Sequence, residues 1–560
     1  MIYARTRSLL WLLVLLGSAF ALRAPFLDRV LWNLDEAVTV TMAQQIREGG
    51  VLYRDTVDHR GPLVPYLKAA ILAISGDWNT RAIHVTLALT LGLVAWLLRD
   101  LGRKLGEPLA GSFAAAIFIF LSLLFVGPAE AFAAHTEWFA VFFSSLGFWL
   151  FARSHRTGGF IPGLLIGGAF AASALSKQPG ILDFATFAVI SALLYFREPS
   201  VRQPSRQLWF GVGTSLLVLA LAVGGYFWAH GAFDAFLYYA WRYNTTLYVP
   251  EIPLLSRWSA LFVPAQLGFL HIPTLFALAI AASGVLAVLA IHSLPDRTKP
   301  IPTFAWLILG WIVSSVIACA LSGRDFGHYS IQLVPGLSLA AGWLLARAFD
   351  YIRRPGAPPA LRLALALLFL VVIGDTLCCA VVAFSKTESR DDPRHLELAA
   401  LLKRHSSPDE RLFVWGYFPE AHLFSQRLPA TRFVYANFLS GLIPWTNLEY
   451  TLDTRYAVVP DAWSAFWSDY RATPPALILE AITRGYVKYP LLAQPALRDE
   501  LIAHYAEVDR HLAEPLQMRL YRRLAPLSPA FSPDAPLDPS ITLHPAAISS
   551  SPDLFEITVR

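Results

Sequence analysis

The chain has 560 residues, 56% of them hydrophobic and 15% charged, with a mean hydropathy of +0.49 and a formal net charge of +5. A soluble globular protein carries roughly a quarter charged residues, so the composition excludes that class and indicates an α-helical polytopic membrane protein. The basic residues are spread along loops as topology signals, which argues against a nucleic-acid partner, and Cys319, Cys378 and Cys379 all lie in apolar runs, which excludes a disulfide framework and a CxxC metal site.

Arg5 and Arg7 precede the apolar stretch 9–21, where Ala19-Phe20-Ala21 resembles a signal-peptidase site. The many further apolar runs favour a signal-anchor helix instead. A spanning helix needs about 20 mainly apolar residues. Such windows fall at 8–23, 81–98, 110–127, 137–152, 160–176, 180–196, 208–229, 272–292, 302–322, 329–348 and 361–384, which predicts eleven spans. The pair 160–176 and 180–196 is short and closely joined.

Basic residues in short loops set the orientation. With a cytoplasmic N-terminus, the inside loops hold Arg99, Arg103 and Lys104; Arg153 and Arg156; Arg197, Arg202 and Arg206; Arg297 and Lys299; and Arg347, Arg353, Arg354 and Arg362. The opposing connections 127–136 and 177–180 carry one lysine between them. The unusual polar residues then fall outside, as does everything after about residue 385. Nucleotides are not generally available there, so an enzyme on that face needs a substrate activated beforehand on a lipid.

The first outer loop, about 24–80, holds Asp35 and Glu36 ahead of Val38, Met42 and Ile46, whose helical spacing predicts a short interfacial helix. An acidic pair in a first turn favours the helix dipole by about 0.3–1 kcal/mol, so capping and catalysis both account for it. Next come Asp55, Asp58, His59 and Arg60, before Gly61-Pro62. Arginine's planar fork suits phosphate oxygens; a headgroup anchor is the plainer role. Glu130, His135 and Glu137 have the residue types of a divalent-metal site, although Thr136 and Glu137 equally suit capping of the next helix. Lys177 would cost about 3 kcal/mol at mid-bilayer, so it snorkels to the surface or meets a phosphate. In Arg324-Asp325-Phe326-Gly327-His328-Tyr329, Asp325 can neutralise Arg324, while His328 and Tyr329 add donors where a polyprenyl phosphate head would lie. Asn244-Thr245-Thr246 is formally a glycosylation sequon and carries little weight.

The tail is more polar. Strand signals at 411–416, 476–480 and 516–522 alternate with a helix opening at Glu420, predicting a small α/β extracytoplasmic domain over 386–560 beside a membrane domain over 1–385. Residues 526–552, rich in Pro and Ser, are expected to be loosely ordered.

Leu34-Asp35-Glu36-Ala37, Leu52-Tyr53-Arg54-Asp55…Asp58-His59-Arg60-Gly61-Pro62, Ala134-His135-Thr136-Glu137, Leu175-Ser176-Lys177-Gln178-Pro179 and Gly327-His328-Tyr329…Leu333-Val-Pro335 occur in this order over about residues 8–350. Together they resemble the bacterial branch of the GT-C membrane glycosyltransferases, the family-39-like group of protein O-mannosyltransferases and aminoarabinose transferases. The resemblance implies transfer of a sugar from a polyprenyl-phosphate donor to an outer-face glycan, lipid or protein, with inversion, in the bacterial inner membrane. It implies Asp35 as general base, Glu36 as its tuner or an acceptor-orienting group, and Glu137 as a second acid. Arg60, Lys177 and Arg324, with His59, His328 and Tyr329, would hold the donor phosphate, and a divalent metal stays open. Related chains often show Lys-Pro-Pro where this one has Arg60-Gly61-Pro62. Rival readings are a flippase for lipid-linked substrates and a non-catalytic envelope assembly protein.

Overall fold

Each of the eleven expected windows forms a helix in the computed structural model, which describes residues 2–295, 301–483, 485–511 and 517–524. Among the described residues, eight helices are long and apolar enough to cross a membrane, and the chain is a multi-pass membrane protein. The other three expected spans are Pro108–Leu124 and Phe160–Ser176, of 17 residues each, and Thr136–Ser154, which carries Glu137 and Arg153 near its ends. Burial separates centre from periphery. The apolar stretch of Gly327–Ile352 is 94% buried, whereas that of Pro359–Ser385 is 17% buried and turns its leucines outward.

Lipid offers no hydrophobic drive between spans, so small residues that admit close backbone approach hold them together. Helices Phe160–Ser176 and Arg202–Ala229 meet at Gly163 and Gly211, where a Cβ would come within 2.2 Å of the Leu208 and Phe160 carbonyls respectively. The basic connections gather together: Arg347 pairs with Glu107, Arg156 lies 3.5 Å from Glu198, and Arg197 donates to the Leu294 carbonyl at 2.7 Å. Arg297 and Lys299 lie outside the described residues, as does the tail stretch 526–552.

Two segments between the apolar windows hold more helix than the sequence reading gave them. The first loop contains Leu34–Arg47 and also Leu63–Ser75, whose 13 residues are too few for a spanning window. Leu34–Arg47 is buried nearly all round, Thr39, Thr41 and Gln44 included, so it is not a one-faced interfacial helix. It packs on Leu63–Ser75 and beneath the tail helix Glu420–Ser425. Within 230–257, Phe233–Leu237 leads into two π-helical turns, Tyr238–Arg242 and Asn244–Tyr248.

The tail forms a four-stranded sheet of β1 (Leu412–Trp415), β2 (Leu477–Ala481), β3 (Tyr505–His511) and β4 (Met518–Arg523), in the order β1-β2-β4-β3. The β1–β2 pair is parallel, with Leu412 opposite Leu477, and the other two pairs are antiparallel. Three strands match the sequence signals. β3 was not anticipated because its Glu507, Asp509 and Arg510 suit a charged edge strand. One apolar core joins Val38, Met42 and Val57 of the first loop to Phe413, Trp415 and Phe433 of the tail. The Val57 amide also donates to the Arg432 carbonyl at 3.0 Å. The tail thereby roofs the first loop.

Candidate active site

Asn33 caps helix Leu34–Arg47, its side-chain oxygen accepting from the Asp35 amide at 2.9 Å. That frees Asp35 for other partners. Its carboxylate lies 2.5 Å from the Arg60 guanidinium, accepts from the Tyr417 hydroxyl at 3.2 Å and sits 3.7 Å from His328 Nε2. Burial opposes its ionisation, but Arg60 and the imidazoles of His328 and His135 override burial and hold the carboxyl well below the usual carboxylate range.

Glu36 does not accompany Asp35. It is buried against His84 at 2.9 Å, accepts from the Ala134 amide at 3.0 Å and, more weakly, from the Trp32 amide at 3.4 Å. Burial acts against this charge too; His84 outweighs it and lowers the carboxyl to about 2. The expected tuning or orienting role therefore gives way to a structural one. Glu36 ties the first loop to helix Thr80–Lys104 and to the turn before Thr136.

The 58–62 turn is held from several sides. Arg60 Nη1 donates to Asp58 at 2.5 Å, and His59 Nδ1 lies 3.1 Å from the same carboxylate. The His59 carbonyl accepts from Gln178 at 3.0 Å and from Asn244 at 2.8 Å, so the sequon asparagine serves inside the fold. Tyr53 donates its hydroxyl to the Arg60 carbonyl at 2.7 Å. At Gly61 a Cβ would fall 2.3 Å from the Leu175 carbonyl. Close approach to the end of helix Phe160–Ser176 is thus what requires glycine in this turn. Burial lowers the His59 imidazole, against the pull of Asp58, while Arg60 with His59 overcomes burial to hold Asp58 at about 2.

A second cluster abuts the first. His135 and His328 stack with ring centroids 4.5 Å apart, and Glu130 Oε2 lies 2.6 Å from His135 Nε2 and 3.4 Å from His328 Nδ1. Lys177 lies 2.8 Å from Glu137 and 4.6 Å from the Tyr329 ring centroid, and Tyr329 shares a hydroxyl contact of 2.9 Å with Tyr248. Glu137 pairs with this lysine and with Thr136; it does not cap its helix. Asp35, His135 and His328 each present one ligand atom, all within 4.8 Å of one another. His135 Nε2 and His328 Nδ1 both face Glu130, and two imidazoles with a carboxylate are a donor set that fits a divalent cation.

Two cavities meet here. The larger, about 310 Å³ and mostly apolar, runs past Ile181, Leu182, Trp241 and Leu321. The smaller, about 160 Å³ and more polar, holds Asp35, Glu130, His328, Tyr417 and Trp445. His59, Arg60, Lys177, Tyr248 and Tyr329 line both.

Arg324 is the expected phosphate ligand that stands elsewhere. It stacks over Tyr248 at 3.6 Å, donates to the Tyr248 carbonyl at 2.8 Å and reaches Thr446 Oγ1 at 3.0 Å. Asp325 is exposed, so it does not bury Arg324's charge. The sequence reading missed Tyr417 and Tyr435, whose phenols enter the polar cavity from the tail, and Lys68, fully buried and donating to Thr39 at 2.7 Å. A lysine in an apolar helix was the available signal for Lys68. Nothing local marked the two tyrosines.

No family model matches the chain, and no curated protein matches it in sequence. Solved structures do match. ArnT from Cupriavidus metallidurans in the apo state aligns over 93% of this chain and 98% of its own, with TM-score 0.57 and 14% identity. The Archaeoglobus fulgidus oligosaccharyltransferase in the apo form aligns over 89% of this chain and 73% of its own, with TM-score 0.53 and 13% identity. AglB of the same organism, in complex with an inhibitory peptide and a dolichol-phosphate, gives 94%, 76%, 0.54 and 14% in the same order.

Proposed function

The chain has the GT-C membrane fold, and on that footing we propose that it is an integral-membrane glycosyltransferase. It moves a sugar from a polyprenyl-phosphate donor to a glycan, lipid or protein acceptor, inverting the anomeric carbon. The observation that carries this reading is the shared wall: an apolar cavity ends on His59, Arg60 and Lys177, and a polar cavity holding Asp35 begins there. Such a junction suits a molecule with an apolar tail, a phosphate and a sugar, in that order. The dolichol-phosphate in AglB is a ligand of the same chemical kind.

In this account the polyprenyl tail lies in the apolar cavity and its phosphate meets Arg60 and Lys177. As the glycosidic bond breaks, negative charge grows on the phosphate, and fixed cations in a partly dry site stabilise it strongly. Asp35 takes the proton from the acceptor hydroxyl as that oxygen attacks the anomeric carbon. Arg60 is shared: a phosphate oxygen competes with Asp35 for the guanidinium, which makes the carboxylate a better base once the donor is in place. Glu137 keeps Lys177 aimed at the junction. A divalent cation on Asp35, His135 and His328 would supply further positive charge for the phosphate. The active face and the tail lie on the periplasmic side and the basic loops in the cytosol, as the charge rule has it.

The test is transfer of labelled sugar from polyprenyl-phosphate pentoses and hexoses by protein purified into nanodiscs. Wild-type protein should transfer, and Asp35→Asn should lose roughly 10²–10⁴-fold in rate with its melting temperature kept. Full transfer by Asp35→Asn would remove the base assignment, and no transfer by wild type from any donor would overturn the reading.

A further inference from the structure

Five non-glycine residues among those described have a clearly positive φ: Tyr53, Trp78, Gln426, Trp445 and Asp461. Trp445, at φ 60°, is the one that lines the polar cavity with Asp35 and His328. The left-handed region is unfavourable for a residue with a bulky side chain and persists only where the surroundings impose it. Here they do. The Thr446 amide donates to the Ile443 carbonyl at 3.1 Å, the Ile443 amide to Asn447 Oδ1 at 2.7 Å, and Asn447 Nδ2 to the Gly441 carbonyl at 2.9 Å. Arg324 then grips Thr446, the next residue, while stacked on Tyr248, which lines both cavities. All this ordering presents one side chain. The residue is 52% exposed, and among the described residues no ring or cation packs on its indole.

We propose that Trp445 is the platform on which the sugar ring of the donor stacks, a role that rests on the glycosyltransferase reading above. An indole face offers a flat apolar surface to the C–H side of a sugar, while Asp35, Lys177 and His328 around the same cavity face its hydroxyls. The volume, about 160 Å³, is small, which suits one sugar ring better than a chain of them. A sugar joined to a phosphate at the Arg60–Lys177 wall falls into this cavity, which assigns the platform to the donor and not to the acceptor. Arg324, displaced from the phosphate site, acquires its task here: it fixes the turn that carries the indole.

The test compares binding of bare polyprenyl phosphate with binding of polyprenyl phosphomannose, phosphoglucose and phosphoarabinose, in wild type and in Trp445→Ala, Trp445→Phe and Trp445→Gly. Trp445→Ala should weaken the sugar-bearing lipids by roughly ten-fold, the scale of a ring stacked on an aromatic face, and leave bare polyprenyl phosphate unchanged. Trp445→Phe should recover most of the loss. Trp445→Gly should melt no lower than wild type, because glycine relaxes the left-handed backbone, yet lose the sugar as Trp445→Ala does. Equal weakening of both kinds of lipid, no weakening of either, or a rise in acceptor KM without a change in donor affinity would overturn the inference. Wild-type protein that binds neither kind of lipid would remove the donor reading and this inference together.

Discussion

Asp35 and Glu36 are neighbours in sequence whose carboxylates serve different ends. Asp35 faces the cavity with Arg60, Tyr417 and His328, and Glu36 is sealed against His84 and the Ala134 amide. Asn33, not either acid, caps the helix, and the two carboxylates part because successive residues on a helix point about 100° apart. Asp58 shows the energetic side of the same cluster. Arg60 and His59 hold its carboxyl at about 2 in spite of burial, against about 3.9 for an unfolded aspartate. A depressed carboxyl stabilises the fold fully above the unfolded value and ceases to do so as pH falls through the folded one. Melting measured in detergent should therefore decline between about pH 4 and pH 2, and Asp58→Asn should flatten that limb while lowering stability at neutral pH. An acid limb unchanged by the substitution would show that the pairing contributes nothing.

At the level of elements, the site depends on one turn docked between two helices. Gly61 admits the Leu175 carbonyl, and the Gln178 and Asn244 amides staple the turn through the His59 carbonyl. Gly61→Ala must push the turn off the end of helix Phe160–Ser176, moving Arg60 away from Lys177. A misplacement of about 1 Å near the chemistry costs on the order of 10²-fold. The expected outcome is a loss of that size in transfer rate with the protein still folded, checked by the transfer assay beside a melting curve; undiminished transfer would show that the turn has room. Elements were legible where their signal is periodic. All eleven apolar windows are helices, and β1, β2 and β4 follow their sequence patterns. Leu63–Ser75 was hidden by its length, β3 by its charges, and the π-helical turns by having no simple repeat.

For the molecule as a whole, basic connections pair with neighbouring loops, and most of the candidate site residues, Glu36 and Arg324 excepted, line or adjoin two joined cavities. Order along the chain was enough to bring Asp35, His59, Arg60, Glu137, Lys177 and His328 into one neighbourhood. It was not enough to find Tyr417, which meets Asp35 across 382 positions, or to see that Arg324 turns toward Thr446. Contacts between the first loop and the tail depend on a shared apolar core, and spacing along the chain carries no trace of them. The central claim is that a lipid tail fills the apolar cavity with its phosphate at the cation wall. Photo-crosslinking with a diazirine-bearing polyprenyl phosphate, followed by peptide mapping, tests it most directly. Label should concentrate on residues such as Ile181, Leu182, Trp241 and Leu321 and fall when Lys177 is replaced by methionine; label confined to the groove beside Leu270 and Val382, indifferent to Lys177, would contradict the account.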